Sequence, residues 1–383
     1  MNLGTDGVAA NGSLLVHSGT LVDADGARPG WVLIDGGRIT AVGDAAAPIP
    51  TAAHVIDAAG GYVTPGFVDI HCNGAGGVHF QGGVDHALVA ARTMRSFGAT
   101  RVVASLVTAS IDGIVASIEA LLPAIERDSG LVGIHVEGPF LAPGRKGAHD
   151  PRWLSLPDPG SIDRLLVAAA GTLRKVTLAP ELPGALDAIA HLVDAGVAVA
   201  VGHTDCDYET AREAFARGAS LVTHAFNAMA PIEGRRPGVL GAAIEADHVT
   251  IEVIADGLHV HPASIALLFA AAPDRIALVT DAMAATAAPP GRYLLGTVDV
   301  DVVEGRAVVA GTETLAGSTL TPDRALRTVV NDCGIGLDQA IAALTVAPAR
   351  AIGETTRPVL ASGARAELVV LDADLSVAAV LAR

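Results

Sequence analysis

Glu137, His203 and His224 are the residues from which a chemistry can be built, because each stands at the end of a short apolar run. A carboxylate at the last position of an apolar strand is costly to bury unless something positive meets it. No lysine or arginine stands at a strand end to pair with Glu137, so a buried ion-pair network is the weaker reading. Two imidazoles and one carboxylate suit a catalytic zinc that keeps one position open for water. Such an ion brings the pKa of its water to about 7 and polarises a carbonyl. Asp281, at another strand end and not needed as a ligand, is left as the proton shuttle.

The elements that position these side chains follow from hydrophobic rhythm. Leu131-Val-Gly-Ile-His-Val-Glu137 alternates like a strand and sets His135 and Glu137 on one side. Gly138-Pro139 ends it, since proline cannot donate to a ladder. His135 lies inside the strand and reads as a hydrogen-bonded interior residue; the loop beyond is basic, with Arg145, Lys146 and His149. Apolar strands are expected at 66–71, 100–106, 131–137, 175–180, 197–202, 221–224, 249–255 and 276–280. Helical patterns fall between most of them, at 85–97, 111–125, 182–195, 208–216 and 262–272. Eight strands alternating with helices predict an α/β fold, a (β/α)8 TIM-like barrel. A doubly wound sheet is the rival, but Asn73-Gly-Ala-Gly-Gly after strand one lacks the G-x-G-x-x-G order. Barrel sites lie at the C-terminal strand ends. Read in order, those ends carry His71, Glu137, His203, His224, the 256–259 segment and Asp281, while the strand interiors read as almost wholly apolar.

Outside the barrel the texture changes. Short strands around 13–18, 31–35 and 38–43 are punctuated by turns such as Asp35-Gly36-Gly37, and 363–372 reads as another strand. Strands this short need partners. The economical arrangement is a small β-sandwich domain built from both termini, residues 1–62 and 349–383, around a barrel at 63–348. Asp205 and Asp207 read as helix caps.

Of the 383 residues 51% are hydrophobic but only 3% aromatic, an ordinary globular core of small side chains. A formal net charge of −16 argues against nucleic acid or an anionic membrane as partner. No apolar run is long enough to span a bilayer, and Met1-Asn-Leu-Gly-Thr-Asp6 lacks the features of a secretory leader. Cys72, Cys206 and Cys333 are odd in number and far apart, which suits a reducing cytoplasm and offers no thiolate zinc site.

Several segments then match a known family. Pro65-Gly-Phe-Val-Asp-Ile-His71, Val136-Glu-Gly-Pro-Phe-Leu141, Gly202-His203-Thr204, Thr223-His-Ala-Phe-Asn-Ala-Met229, Ala255-Asp-Gly-Leu-His259, Thr280-Asp-Ala282 and Leu315-Ala-Gly-Ser318 run in order along nearly the whole chain. Together they resemble the N-acetylglucosamine-6-phosphate deacetylases of the amidohydrolase superfamily. The resemblance implies a metal on Glu137, His203 and His224, with Asp281 as catalytic acid/base. It implies substrate contacts from Ala148, His149, Asn227, Ala228, Arg235, His259 and the Leu315, Ala316, Gly317 turn. The implied reaction is attack on the acetyl carbonyl by a metal-activated water, with His149 helping to stabilise the oxyanion. It further implies a homodimer in which Arg235 reaches a sugar phosphate in the neighbouring subunit. The segment 225–245 is long for a strand-to-helix connection, and Pro231, Gly234, Pro237 and Gly238 would stiffen it to project outward.

One departure bears on the metal count. Relatives commonly carry His-x-His at the end of strand one; here the triplet is His71-Cys72-Asn73. Asparagine is a weak neutral ligand, and strand four ends without a lysine, so one zinc per chain is expected. His71 itself is open between a ligand, a substrate contact and a polar residue satisfied beside Asp69. The competing functions are another amidohydrolase, such as a cyclic amidase or N-acyl-amino-acid hydrolase, and a barrel that serves only as a binding or assembly subunit.

Overall fold

The structure, a computed structural model, describes residues 12–382. The opening segment, for which no secretory leader is expected, lies outside the described residues.

Eight short strands, rich in Val, Ile, Leu and Ala, make the frame. They are β1 (Phe67–Cys72), β2 (Ala99–Val107), β3 (Leu131–Glu137), β4 (Leu173–Leu178), β5 (Ala198–Val201), β6 (Leu221–Val222), β7 (Thr250–Ile254) and β8 (Ile276–Val279). They pair side by side in sequence order, every pair parallel. Parallel strands need both faces covered and so lack surface alternation; all nine residues of β2 are buried. The barrel closes where β8 returns to β1. Asp281 N donates to His71 O at 2.8 Å, Asn73 N to Ala282 O at 2.7 Å, and Cys72 pairs in parallel with Ala282. That seam brings the ends of the first and last strands together, with His71, Asn73 and Asp281 on them.

Helices wrap the outside with local start signals in place. Ser110 accepts from Gly113 N, and Asp158 and Asp207 accept from Ser161 N and Thr210 N. Asp207 is therefore a cap as expected, whereas Asp205 pairs with Arg145. The long connection expected over 225–245 is shorter than that. Gly238–Glu245 is a helix with five buried residues, and only 231–236 stands fully exposed. The segment Gly-Val-Leu-Gly-Ala-Ala-Ile-Glu is apolar almost all round, so it lacks the polar face by which a surface helix is recognised.

Both termini enter one seven-stranded sheet. Leu14–Asp23 pairs with Gly26–Asp35, with His54–Asp57 along its first half and with Tyr62–Pro65 along its second. Leu368–Leu371 joins antiparallel to Tyr62–Pro65, and Val377–Leu381 follows at the edge. This sheet buries a separate core that includes Val16, Leu21, Val32, Ile39, Val63 and Leu368. Arg101, at the start of β2, ties it to the barrel through Glu367 at 2.7 Å and Glu354 at 3.1 Å.

A three-stranded antiparallel sheet, Gly291–Leu295, Val298–Val303 and Arg306–Val309, follows β8 and is not expected from the barrel pattern. Its apolar face packs Leu295, Val300, Val302 and Ala307 onto Val107, Met283 and Ala316, at the C-terminal mouth of the barrel.

Candidate active site

Three strand ends converge first. Glu137 closes β3, and His203 and His224 lie just beyond β5 and β6. Glu137 Oε1 is 3.3 Å from His203 Nε2 and 3.2 Å from His224 Nε2, and the two imidazole nitrogens are 3.0 Å apart. His203, His224 and Asp281 all adopt positive φ (49°, 30° and 47°). Non-glycine residues do so at a cost, and such conformations gather at functional sites.

The tautomers show what this cluster needs. His203 Nδ1 lies 2.8 Å from the Arg145 carbonyl oxygen, which can only accept, so the ring hydrogen sits on Nδ1. Its Nε2 therefore turns a lone pair toward Glu137 Oε1 and toward His224 Nε2. With His224 in the tautomer that leaves its Nε2 bare, three lone pairs face one point, an arrangement that a cation between them would satisfy. Glu137, His203 and His224 thus fit a divalent metal by the chemistry of the donor set. Burial alone would raise the Glu137 pKa, but the charge of His71 opposes it most strongly, and the carboxyl is held well below its ordinary range. Burial keeps His224 below its ordinary value, which favours the neutral ligand form.

A second group shares Glu137. His71 Nε2 is 3.2 Å from Glu137 Oε2 and 3.4 Å from Asp281 Oδ1, so His71, Glu137 and Asp281 also present their donor atoms together. Asn73 sends its amide nitrogen to Asp281 Oδ1 at 2.7 Å, acting as a donor to the carboxylate.

His149 reaches the cluster from the loop after β3, with Nε2 3.7 Å from Glu137 Oε2. Its Nδ1 accepts from Thr108 N at 3.4 Å and lies 2.7 Å from Thr108 Oγ1, which leaves the ring hydrogen on Nε2. Burial, reinforced by His203, pushes its pKa down to about 3. His149 is a neutral donor aimed into the site. His135 is held between Ser105 Oγ at 2.9 Å and Thr177 Oγ1 at 2.8 Å, which leaves neither ring nitrogen free as a ligand.

These residues open onto one cavity of about 450 Å³. Ala148, His149, Asn227, Ala228, His259, Asp281, Leu315 and Gly317 line it, together with Glu137, His203 and His224. Ala316 is fully buried behind that wall, and Arg235 stands exposed on the 231–236 loop, outside the cavity of its own chain. Asp256 Oδ2 holds His259 Nδ1 at 2.7 Å.

Sequence reasoning overlooked Leu295, Glu313 and Thr314 on the cavity wall and Thr108 behind His149. It also overlooked Lys175 and Glu252, a charge pair with no exposed side-chain surface, in strands read as almost wholly apolar. The signal was available, since a lysine and a glutamate inside apolar strands must find each other or a cofactor.

The sequence model of the Amidohydrolase family matches residues 62–382. The chain is 36% identical over 346 residues to the N-acetylglucosamine-6-phosphate deacetylase of Danio rerio, covering 85% of this chain and 84% of that protein. It is 35% identical over 336 residues to the N-acetylgalactosamine-6-phosphate deacetylase of Escherichia coli, covering 86% and 88%. In structure it resembles a mutant of the N-acetyl-D-glucosamine-6-phosphate deacetylase of Mycobacterium smegmatis, in complex with N-acetyl-D-glucosamine 6-phosphate. That match has a TM-score of 0.92 and 44% identity over 97% of each chain.

Proposed function

This chain belongs to the amidohydrolase family, and on that premise we propose that it hydrolyses the acetamide of N-acetylglucosamine 6-phosphate to glucosamine 6-phosphate and acetate. The observation that carries this reading is the meeting, in one cavity, of a two-histidine, one-carboxylate set with Asp281 and a neutral His149 donor. Relatives alike over most of the chain bear the name of that activity.

Glu137, His203 and His224 would hold one zinc ion, which supplies a Lewis acid for the acetyl carbonyl and an acidified water. The remaining work falls to the chain. Asp281, oriented by Asn73, accepts the proton of the attacking water and returns it to the leaving amine. His149 Nε2–H donates to the carbonyl oxygen as negative charge develops there. Ala148, Asn227, Ala228, His259 and the Leu315–Gly317 turn seat the sugar.

No described helix is long and apolar enough to cross a membrane. We place the enzyme in the cytoplasm, as a homodimer in which Arg235 meets the phosphate bound by the partner. We propose the domain division 63–348 for the barrel and 1–62 with 349–383 for the terminal β-domain; the strand Tyr62–Pro65, which straddles that boundary, pairs into the terminal sheet. The test is acetate release from N-acetylated glucosamine, galactosamine and mannosamine, each with and without a 6-phosphate. Turnover is expected for N-acetylglucosamine 6-phosphate and much less for the free sugar. Preference for the galactosamine epimer would align the chain with its Escherichia coli relative, and no acetate from any phosphorylated sugar would overturn the assignment.

A further inference from the structure

Beneath the cavity lies a line of ionisable groups that the reaction above does not use. Lys175 on β4, Glu252 on β7 and His71 on β1 have no exposed side-chain surface. Lys175 Nζ bonds Glu252 Oε1, and Glu252 Oε2 is 3.3 Å from His71 Nδ1. The far nitrogen of the same ring, Nε2, is the atom 3.2 Å from Glu137 and 3.4 Å from Asp281. Neither Lys175 nor Glu252 lines the cavity, so neither can touch substrate.

Stability is a poor reason for such a pair. Removing two charges from water costs about as much as their attraction returns, and a well-packed apolar pair is often as stable or more so. The use of the pair must lie in what the second Glu252 oxygen holds. A carboxylate paired with lysine only accepts, so His71 has to present Nδ1–H to it. That hydrogen bond fixes the ring plane and decides which nitrogen faces the reacting centre, the part that outer carboxylates play for site histidines in general. Lys175 grips the other oxygen and keeps Glu252 from turning away. On the opposite face His135 stands edge-on to His71, with ring centroids 4.7 Å apart, and is itself pinned by Ser105 and Thr177.

We propose that Lys175 and Glu252 are a positioning pair for the reaction: they lock His71 and, through its Nε2, set the places of the Glu137 and Asp281 carboxylates. The inference rests on the role of Asp281 proposed above. Loss of the pair should lower kcat about tenfold to a hundredfold and leave KM within about threefold, because no substrate contact is removed.

The test compares wild type, Glu252→Gln, Lys175→Met and the double variant Lys175→Met/Glu252→Gln. The readouts are thermal midpoint, kcat, KM and zinc affinity by chelator competition. Each single variant should lose both midpoint and kcat. The double variant leaves no uncompensated charge, so its midpoint should recover while kcat stays low at nearly unchanged KM. Recovery of kcat together with midpoint would make the pair purely structural, and a loss carried by KM would place it with the substrate contacts; either result overturns the proposal. Should the double variant fail to fold, Glu252→Gln decides alone. A kcat loss beyond its unfolded fraction at unchanged KM supports the proposal, and a loss equal to that fraction overturns it. If wild type releases no acetate, the functional reading fails by itself, and the comparison moves to zinc affinity. There an affinity at least about tenfold weaker in a folded variant supports positioning, and wild-type affinity overturns it.

Discussion

Asn73 Nδ2 and Asp281 Oδ1 lie 2.7 Å apart across the seam that joins the first and last barrel strands. The contact gives Asn73 a use other than ligation: it donates to the carboxylate proposed to carry the proton. With this weak neutral ligand in place, about one divalent ion per chain should survive gentle purification. Asn73→His restores a strong donor beside His71 and should raise that count toward about two. Elemental analysis after dialysis checks both. Two equally occupied ions in the unaltered protein would make the His71, Glu137 and Asp281 group a resident metal site.

Asp281→Asn should cut kcat by about 10²–10⁴, the range for general acid–base catalysis. Zinc per chain should stay near that of wild type, because Glu137, His203 and His224 remain. If activity falls only in proportion to lost metal, Asp281 is a ligand and the shuttle must be sought elsewhere.

His149→Ala removes the Nε2–H donor and should lower kcat by about 10²–10³, as loss of one oxyanion donor does elsewhere. Burial holds the His149 pKa down to about 3, so the imidazole stays neutral throughout the working range. The loss should therefore be the same factor at every pH between about 5 and 8, against the ordinary histidine pKa near 6.5. A loss that vanishes on the acid side would show that His149 titrates there. The sign for stability follows from the same shift. A histidine whose folded pKa lies below its unfolded value favours the native state fully above about 6.5 and loses that contribution as pH falls toward 3.

The strand ends were legible because burying a charge there is costly, which singles out Glu137, His203, His224 and Asp281 without any structure. Lys175 and Glu252 carry the same kind of signal, but nothing in the sequence pairs one with the other. Glu252 is the single charge of its strand and Lys175 follows Arg174 at the start of an otherwise uncharged one, and the complementarity of Lys175 and Glu252 exists only across the barrel, 77 residues apart in sequence. The tautomers of His203 and His149 were also out of reach, since they are set by the Arg145 carbonyl and by Thr108. The three-stranded sheet after β8 belongs to no barrel repeat, so the alternation that reveals the barrel says nothing about it. The 238–245 helix was hidden by its own uniform apolarity.

The three thiols should be inert in the folded protein. Cys72 and Cys206 are buried, Cys333 is half-buried, and none is in a disulfide. Burial pushes Cys206 up to about 12 and Cys333 up to about 11, and raises Cys72 well above its ordinary value. Only the thiolate reacts readily. A colorimetric disulfide reagent at about pH 8 should therefore titrate little in the native state and all three thiols after denaturation. A fast native thiol would point to local opening around that residue.

Arg235 poses a different problem, because none of the described residues gives it an ion-pair partner. It stands exposed on a loop stiffened by Pro231 and Pro237, outside the cavity, and makes no ion pair among the described residues, whereas its neighbour Arg236 is tied to Glu233 at 2.6 Å. A cation on a rigid projecting loop of a protein with formal net charge −16 suits an anion brought by something else. The proposed something is the sugar phosphate in a partner subunit. A charge-assisted pair with a desolvated phosphate makes Arg235→Ala raise KM for the phosphorylated sugar by roughly 30-fold or more, with little change for the free sugar. The proposed dimer gives a sharper test. A hybrid of one Asp281→Asn chain and one Arg235→Ala chain contains a single complete site, with Asp281 from the second chain and Arg235 from the first. At low substrate, mixing the two inactive or weak homodimers should restore part of the activity as subunits exchange. Exchange verified by mass tags without any recovery would place the Arg235 contact within its own chain.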